Sequence, residues 1–340
     1  MPKTPLIDAL NGIVSARPPI WLMRQAGRYL PEYRELRGQA GSFVDLCLTP
    51  ALAAEVTLQP IRRYGFDAAI LFSDILMVPF GLGQHLRFEE GRGPILAPIQ
   101  TAADIPRFDP EGFHAQLGPI YETVERVRAE LDPSVALIGF AGSPWTVASY
   151  MVEGGTSRDF ARLKTWAFAD PDGFDRLIAR IAEATIAYLD RQIRAGAQVV
   201  KLFDSWAGAA PETVFERAVI APTKSIVTAL KRDHPSVPII GFARGAGAMT
   251  RSYVETTGID AVALDSATPL AMACALQADR PVQGNLDPMA LVAGGDALRA
   301  ETDRIVDALS AGPFVFNLGH GIVPQTPPEH VAELVARLRG

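Results

Sequence analysis

The 340-residue chain carries 32 basic and 38 acidic residues for a net charge of −6, and it is 48% hydrophobic and 21% charged. That balance suits a globular protein with a sizeable core and gives no global attraction for nucleic acid or an anionic membrane surface, so any taste for anions must come from local clustering. Cys47 and Cys274 lie too far apart in sequence to suggest a disulfide framework or a thiolate metal site, and with neither a signal-peptide pattern nor an apolar stretch near the roughly 18 residues of a spanning helix, a cytoplasmic protein is expected.

Eight short runs rich in Val, Ile, Leu and Phe recur along the chain. Near-continuous apolar runs mark strands buried on both faces. The first is Ile20–Arg24, followed by a long loop to about Thr49 that holds a short helix opening at Pro31. Thr49-Pro50 opens the next helix, an N-cap residue followed by proline at the first helical position. The second strand is Ala68–Asp74. A second long loop, Phe80 to about Asp109, contains a small hairpin: Leu86–Glu90, a turn at Arg92, and Pro94–Leu96. Asp109-Pro110 and Ser143-Pro144 open helices on either side of the third strand, Ala136–Gly142. Asp170-Pro171 opens an amphipathic helix reaching Ala195, with Gly196 placed to end it. Strands Gln198–Ser205, Pro238–Arg244, Ala261–Ser266, Pro281–Asp287 and Phe314–His320 complete the set. Strand then helix, eight times without a linker, predicts an α/β fold: a single (β/α)8 TIM barrel over residues 1–340 with long loops after strands 1 and 2. An open doubly wound sheet is the alternative, better suited to five or six strands.

The strand ends carry Arg24, Asp74, Ser143, Asp204 with Ser205, Arg244, Asp265 with Ser266, Asn285 with Asp287, and His320. Any one of these is commonly a cap or turn former. All eight ends being polar marks the C-terminal face, where barrels build their sites. Of the 32 basic residues 27 are arginine, the side chain suited to bidentate carboxylate binding. Base composition of the genome is the plain explanation for that excess, yet five of these arginines fall between Arg17 and Arg37, at the expected mouth. Within that stretch Gly27 lets the backbone turn between Arg24 and Arg28, while Arg34 suits a solvated helix face.

The stretch Pro19-Ile-Trp-Leu-Met-Arg-Gln-Ala-Gly-Arg-Tyr-Leu-Pro-Glu-Tyr-Arg resembles the N-terminal signature of the uroporphyrinogen decarboxylase family. The likeness continues through Phe72-Ser-Asp-Ile-Leu, Gly139-Phe-Ala-Gly-Ser-Pro-Trp-Thr, Tyr150 before Glu153-Gly-Gly, Phe203-Asp-Ser-Trp-Ala-Gly, Gln283-Gly-Asn-Leu-Asp-Pro and Asn317-Leu-Gly-His-Gly-Ile, in family order over essentially the whole chain. The resemblance implies a homodimeric barrel that removes carboxyl groups from the four acetate arms of uroporphyrinogen, giving coproporphyrinogen, with no metal or organic cofactor. It also implies that Arg24, Gln25, Ala26, Gly27 and Arg28 form a substrate-binding loop and that Arg37 contacts a further carboxylate. Asp74 would lie beneath the macrocycle, and Tyr150, Ser205 and His320 would complete the binding set, with Asp74, Arg24 and Tyr150 nearest the chemistry.

Chemistry fits those roles. Electron density left by departing CO2 can move into a pyrrole protonated at the adjacent ring carbon, so the substrate supplies its own electron sink. One ionised carboxylate can accept from several inward-pointing ring N–H groups, and such preorganised electrostatics is usually the largest catalytic term. For Asp74 the alternative is a turn cap, for Tyr150 a core tyrosine, for Ser205 an N-cap. His85, His114, His234 and His330 read as surface residues.

Rival readings each name a residue. Lys201 could serve a Schiff-base aldolase, although about 13 Å of strand would separate it from the mouth, making a buried ion pair or bottom-layer residue the better reading. Asp204, Asp265 and Asp287 could ligate a metal or simply form turns. Cobalamin-linked methyltransferases share the architecture but hold zinc with His and Cys, and neither cysteine falls at a strand end. Gly241–Gly247 lacks the lysine of a phosphate loop. A non-catalytic tetrapyrrole carrier is the reading from a different class.

Overall fold

The apolar runs pair side by side in parallel. The computed structural model describes residues 3–340, and its strands are β1 (Ala68–Ile70), β2 (Leu86–Glu89), β3 (Gly93–Leu96), β4 (Ala136–Gly142), β5 (Val199–Asp204), β6 (Ile239–Ala243), β7 (Ala261–Ala263), β8 (Val282–Leu286) and β9 (Phe314–Leu318). Seven of them form one parallel sheet in the order β1-β4-β5-β6-β7-β8-β9, while β2 and β3 make a separate antiparallel hairpin. The hairpin is tied to the helix Pro144–Glu153 by a bridge from Ile95 to Gly155 and by the Leu96 amide donating to the Gly154 carbonyl at 3.0 Å.

Between the two edges of the sheet lies the segment around Ile20. Ile20 bridges in parallel to Phe316 of β9, and the Phe316 amide donates to the Pro19 carbonyl at 2.9 Å. On the other side the Asp67 amide donates to the Ile20 carbonyl at 2.9 Å, and the Asp67 carboxylate accepts from the Ile20 amide at 2.8 Å. The strand expected at Ile20–Arg24 is therefore a single bridge. Side chains replace its ladder: Asn317 accepts from the Met23 amide at 3.0 Å and Gln25 from the Leu22 amide at 3.1 Å. Other strands are also shorter than expected at their C-terminal ends. After Ile70 the Leu71 amide still reaches the Ile138 carbonyl, but the Phe72 amide goes to the Thr57 hydroxyl, and the chain leaves the sheet. At β7 the run stops at Ala263 because Asp265 turns its carboxylate onto the Ala267 amide.

Side chains on each strand alternate between two apolar layers. Trp21, Met23, Ala68, Ala136, Ile138, Val199, Ile240, Phe242, Ala261, Ala263 and Val315 pack together inside the curl. Val200, Leu202, Ile239, Val262, Phe314 and Phe316 face outward against the helices. The helix Pro171–Arg194 shows why that outer layer forms. It buries Phe174, Leu177, Ile178, Ile181, Leu189 and their neighbours along one stripe, and Asp170 caps it by accepting from the Gly173 amide at 3.0 Å. Proline stands at the start of all four helices expected from Asp/Ser/Thr-Pro pairs, yet only Asp109 and Asp170 cap with their side chains. Thr49 instead donates its hydroxyl backward to Asp45, and the Ser143 hydroxyl is buried without a partner.

Candidate active site

The polar strand ends gather at one end of the sheet. Because Asp204 pairs with Ala243 in register, Ser205 and Arg244 leave adjacent strands at the same height.

Arg24 begins the site in a strained conformation, φ +61°, the left-handed region that costs a non-glycine residue about 1–2 kcal/mol. The turn is over-determined by its surroundings. The Gln25 side chain is fully buried, donating to the Ala68 carbonyl at 3.1 Å, while the Tyr29 hydroxyl donates to the Gln25 carbonyl at 2.8 Å. Arg34 donates to the carbonyls of Arg28 and Tyr29, so it braces the loop instead of decorating a solvated helix face. Gln25, expected within the substrate-binding loop, turns its side chain inward, where it holds the turn. The amides of Ala26, Gly27 and Arg28 donate to no backbone or side-chain acceptor among the described residues, a local array of the kind that receives anions. Arg24 and Arg28 are exposed to the mouth and lack a carboxylate partner among the described residues. Arg37, on the helix Pro31–Gln39, is half-buried, and its guanidinium is engaged with the Ala40 carbonyl at 3.2 Å.

Asp74 does two things. One carboxylate oxygen accepts from the Leu76 amide at 2.9 Å, so it does cap the turn, as the plainer reading of the sequence held. The other oxygen has no partner among the described residues. Burial pushes its pKa up to about 6, with the Leu76 amide and the Arg24 charge pulling the other way. Arg24 lies near it but not in salt-bridge contact. Tyr150 sits on the helix Pro144–Glu153, half-buried, within the fields of Asp74 and Arg24. Burial raises its pKa, and the Trp206 ring lies 6.5 Å away, centroid to centroid. The Trp206 N–H itself is buried without an acceptor.

Ser205 is half-buried at the end of β5, and the short helical turn after it is capped at Trp206, so Ser205 is not the N-cap it was offered as. Its predecessor Asp204 points outward into the core. It accepts from the Thr146 hydroxyl at 2.5 Å, that hydroxyl accepts from the Trp206 amide at 2.9 Å, and the second Asp204 oxygen is an orphan. Burial drives the Asp204 pKa up to about 7. His320 lies past β9 with its Nδ1 buried and unpaired. Burial first, then the charges of Arg24, Arg244 and Lys201, depress its pKa to about 3, so the imidazole is neutral across the physiological range.

The remaining candidates separate. Asp265 accepts from the amides of Gly245 and Ala267, and Asp287 caps the helix Pro288–Ala293. With Asp204 inside the core, the three carboxylates serve turns and packing and do not converge. Lys201 is fully buried, yet no ion pair holds it. Its ammonium lies 4.9, 4.8 and 5.1 Å from the ring centroids of Trp21, Phe203 and Phe242, and 3.6 Å from the Met23 sulfur. Burial lowers its pKa strongly while the ring faces favour the cation. His114, His234 and His330 are half-buried: His234 pairs with Asp190 at 2.7 Å, His114 meets the Tyr121 hydroxyl at 2.9 Å, and His330 reaches the Leu291 carbonyl at 3.0 Å. Each sits on an amphipathic helix or its end, where periodicity alone does not separate rim from surface. Cys47, fully buried, lies close enough to Asp74 to feel its charge, a proximity with no sequence signal. A groove of about 390 Å³ opens elsewhere, lined by Ile178, Ala182 and Ile186 of the helix Pro171–Arg194 and by Pro222 of the neighbouring helix Ala221–Asp233; it brings together none of these site residues.

Comparison with known proteins is consistent along the whole chain. The family model described as "Uroporphyrinogen decarboxylase (URO-D)" matches residues 1–340. A uroporphyrinogen decarboxylase of Rhodospirillum rubrum is 52% identical over 338 residues, covering 99% of this chain and 97% of its own length. One from Granulibacter bethesdensis is 55% identical over 339 residues, with 98% of each chain covered. Among solved structures, a methyltransferase from Methanosarcina mazei superposes with a TM-score of 0.79 over 98% of this chain and 97% of its own, at 20% identity, which is a likeness of fold alone.

Proposed function

We infer the activity from one premise: the chain belongs to the uroporphyrinogen decarboxylase family. It is an enzyme that decarboxylates the four acetate arms of uroporphyrinogen III, giving coproporphyrinogen III in haem biosynthesis. The observation that carries this reading in the structure is the unpaired Asp74 oxygen in a mouth whose cations, Arg24, Arg28 and Arg244, also lack partners among the described residues.

The macrocycle sits over Asp74, whose free oxygen accepts from the ring N–H groups and stabilises the cationic pyrrole as each arm loses CO2. Arg24, Arg28 and the free amides of Ala26 to Arg28 hold carboxylates; Arg37 contributes if it releases the Ala40 carbonyl. Gln25 acts through the loop it braces. Tyr150, in the field of both Asp74 and Arg24, donates a hydrogen bond to the reacting region. His320, neutral, offers a hydrogen bond and not a proton in the resting site, and Ser205 lines the same rim. The substrate's own pyrrole is the electron sink, so the reaction runs without metal or organic cofactor.

The chain is read as one (β/α)8 barrel over residues 1–340, with the Ile20 segment standing as the eighth strand position and long loops after the first two. The paired edges around Ile20 support that closure. It works as a homodimer in the cytoplasm, without nucleic-acid or membrane partners. Among the described residues no helix is long and apolar enough to cross a membrane.

The test is anaerobic incubation of the purified enzyme with uroporphyrinogen III in the presence of a chelator, counting CO2 and product carboxyls. Loss of four carboxyls supports the reading. Tight binding of the macrocycle without CO2 release would make the protein a tetrapyrrole carrier.

A further inference from the structure

Arg244 follows β6, the middle strand of the seven. The Ile20 segment that leads to Arg24 lies between the two sheet edges. Arg244 and Arg24 therefore leave opposite sides of the ring at its polar end, and the charge of Arg244 acts on both Arg24 and His320 across it.

The backbone that launches Arg244 is tied down on every side. Its amide donates to the Asp204 carbonyl at 3.0 Å, its carbonyl accepts from the Gly208 amide at 2.9 Å, and the next amide, Gly245, donates to the Asp265 carboxylate at 2.6 Å. The loops after β5 and β6 are packed so closely that a methyl on Gly208 would lie 2.3 Å from the Gly245 carbonyl oxygen. The half-buried guanidinium at the tip of this fixed backbone has no hydrogen-bond or ion-pair partner among the described residues. A half-buried guanidinium on a fixed backbone at the polar end of the sheet, with no carboxylate of its own, is a site waiting for an anion.

We infer that Arg244 is a substrate-positioning residue that binds, from the wall facing Arg24, a carboxylate of the macrocycle other than the one being lost. The exclusion follows from charge. A guanidinium on the departing carboxylate would stabilise the negative charge that must leave it and would slow the step. On a carboxylate that stays, the same contact fixes which arm stands over Asp74. The inference rests on the decarboxylase reading above.

Two variants test it, Arg244→Gln and Arg244→Lys, assayed against wild type for steady-state conversion of uroporphyrinogen III and for binding of uroporphyrin by fluorescence. Loss of one charge-assisted contact is expected to raise KM and the uroporphyrin Kd by about ten- to a hundredfold in the Gln variant, with kcat within about threefold of wild type. Partially decarboxylated intermediates should accumulate as arms lose their register. Lys keeps the charge without the fork, so its KM should fall between the two, and the salt dependence of KM should be shallower in Gln than in Lys. A KM and Kd unchanged in both variants, or a fall in kcat at constant KM, overturns the assignment. If Arg244→Gln fails to fold, as read by its melting curve, Arg244→Lys decides alone: a raised KM at wild-type melting temperature supports the role, an unchanged KM removes it. Failure of wild type to turn over uroporphyrinogen would instead overturn the decarboxylase reading, so the two failures are distinct.

Discussion

The outer shell and the mouth treat the same side chain in opposite ways. On the helices, many arginines are matched with carboxylates: Arg337 with Asp303, Arg299 with Asp296 and Glu333, Arg304 with Glu301, Arg194 with Asp190, Arg217 with Asp175. At the mouth, Arg24, Arg28 and Arg244 enter no such pair among the described residues, and Asp74 keeps one oxygen free. Exposed pairs in the shell are screened and contribute little. Unmatched charges in a cleft are unfavourable to the fold; under the proposed function, the missing partners are supplied by the substrate, a macrocycle with eight carboxylates and a ring of N–H donors.

The comparison is sharpest at Asp74. Asp74→Asn is expected to lower kcat by roughly a hundred- to a thousandfold, the usual cost of one preorganised electrostatic group. Its stability should move the other way. A carboxyl whose folded pKa is raised from 3.8 to about 6 destabilises the fold once ionised, a cost complete above pH 6 and absent below about pH 4. Asn does not ionise, so the variant should gain on the order of 2–3 kcal/mol at pH 7 and lose that advantage as pH falls through 6 to 4. Thermal melts at pH 7 and pH 4 check this. A less stable variant at pH 7 would mean that Asp74 is matched after all.

The same titration governs activity. In wild type, kcat/KM should fall about tenfold per unit as pH drops below about 6, because the protonated carboxyl no longer accepts from the ring. In Asp74→Asn that acid limb should vanish. A limb that survives the exchange would assign it to another group.

Tyr150→Phe should cost about tenfold in kcat, the scale of one neutral hydrogen bond, with little change in KM. Lys201→Met probes the boundary between the two regions, a cation inside the curl with aromatic faces but no anion. It should keep kcat/KM within about threefold and raise stability by about 1–2 kcal/mol, since removing an unpaired buried amine outweighs the lost ring contacts. A variant that melts lower would show the ring cage to be the stronger term. Smallest of all, Arg337→Ala in the shell should leave kcat/KM at the wild-type value and shift the melting temperature least of the set. Any effect on KM from that exchange would blur the distinction between shell and mouth.

How much of this was legible before the structure divides along the same line. The parallel strands follow from apolar runs, because a strand buried on both faces has few other ways to be written. The polar strand ends pointed to the mouth, and the motif around Arg24 to Arg28 pointed to its most basic wall. The burial of the Gln25 side chain could not be read: it depends on Ala68, which is distant in sequence and adjacent only once the Ile20 segment slots beside β1. The aromatic cage of Lys201 needs three residues from three different stretches to meet. The nearness of Cys47 to Asp74 and the placement of Arg244 at the same end of the sheet as Arg24 likewise depend on segments distant in sequence, and local patterns carry no trace of them. Strand ends were overextended because periodicity does not register where a Thr or Asp side chain takes over an amide from the ladder.

The most direct test is a crystal structure of the protein with coproporphyrinogen or uroporphyrinogen bound under anaerobic conditions. The expected result is the macrocycle over Asp74, ring N–H groups within hydrogen-bond distance of its free oxygen, and peripheral carboxylates on Arg24, Arg28 and Arg244. A macrocycle bound away from Asp74, or over it with those three guanidinium groups still unpaired, would contradict the assignment of the mouth's unmatched charges to the substrate.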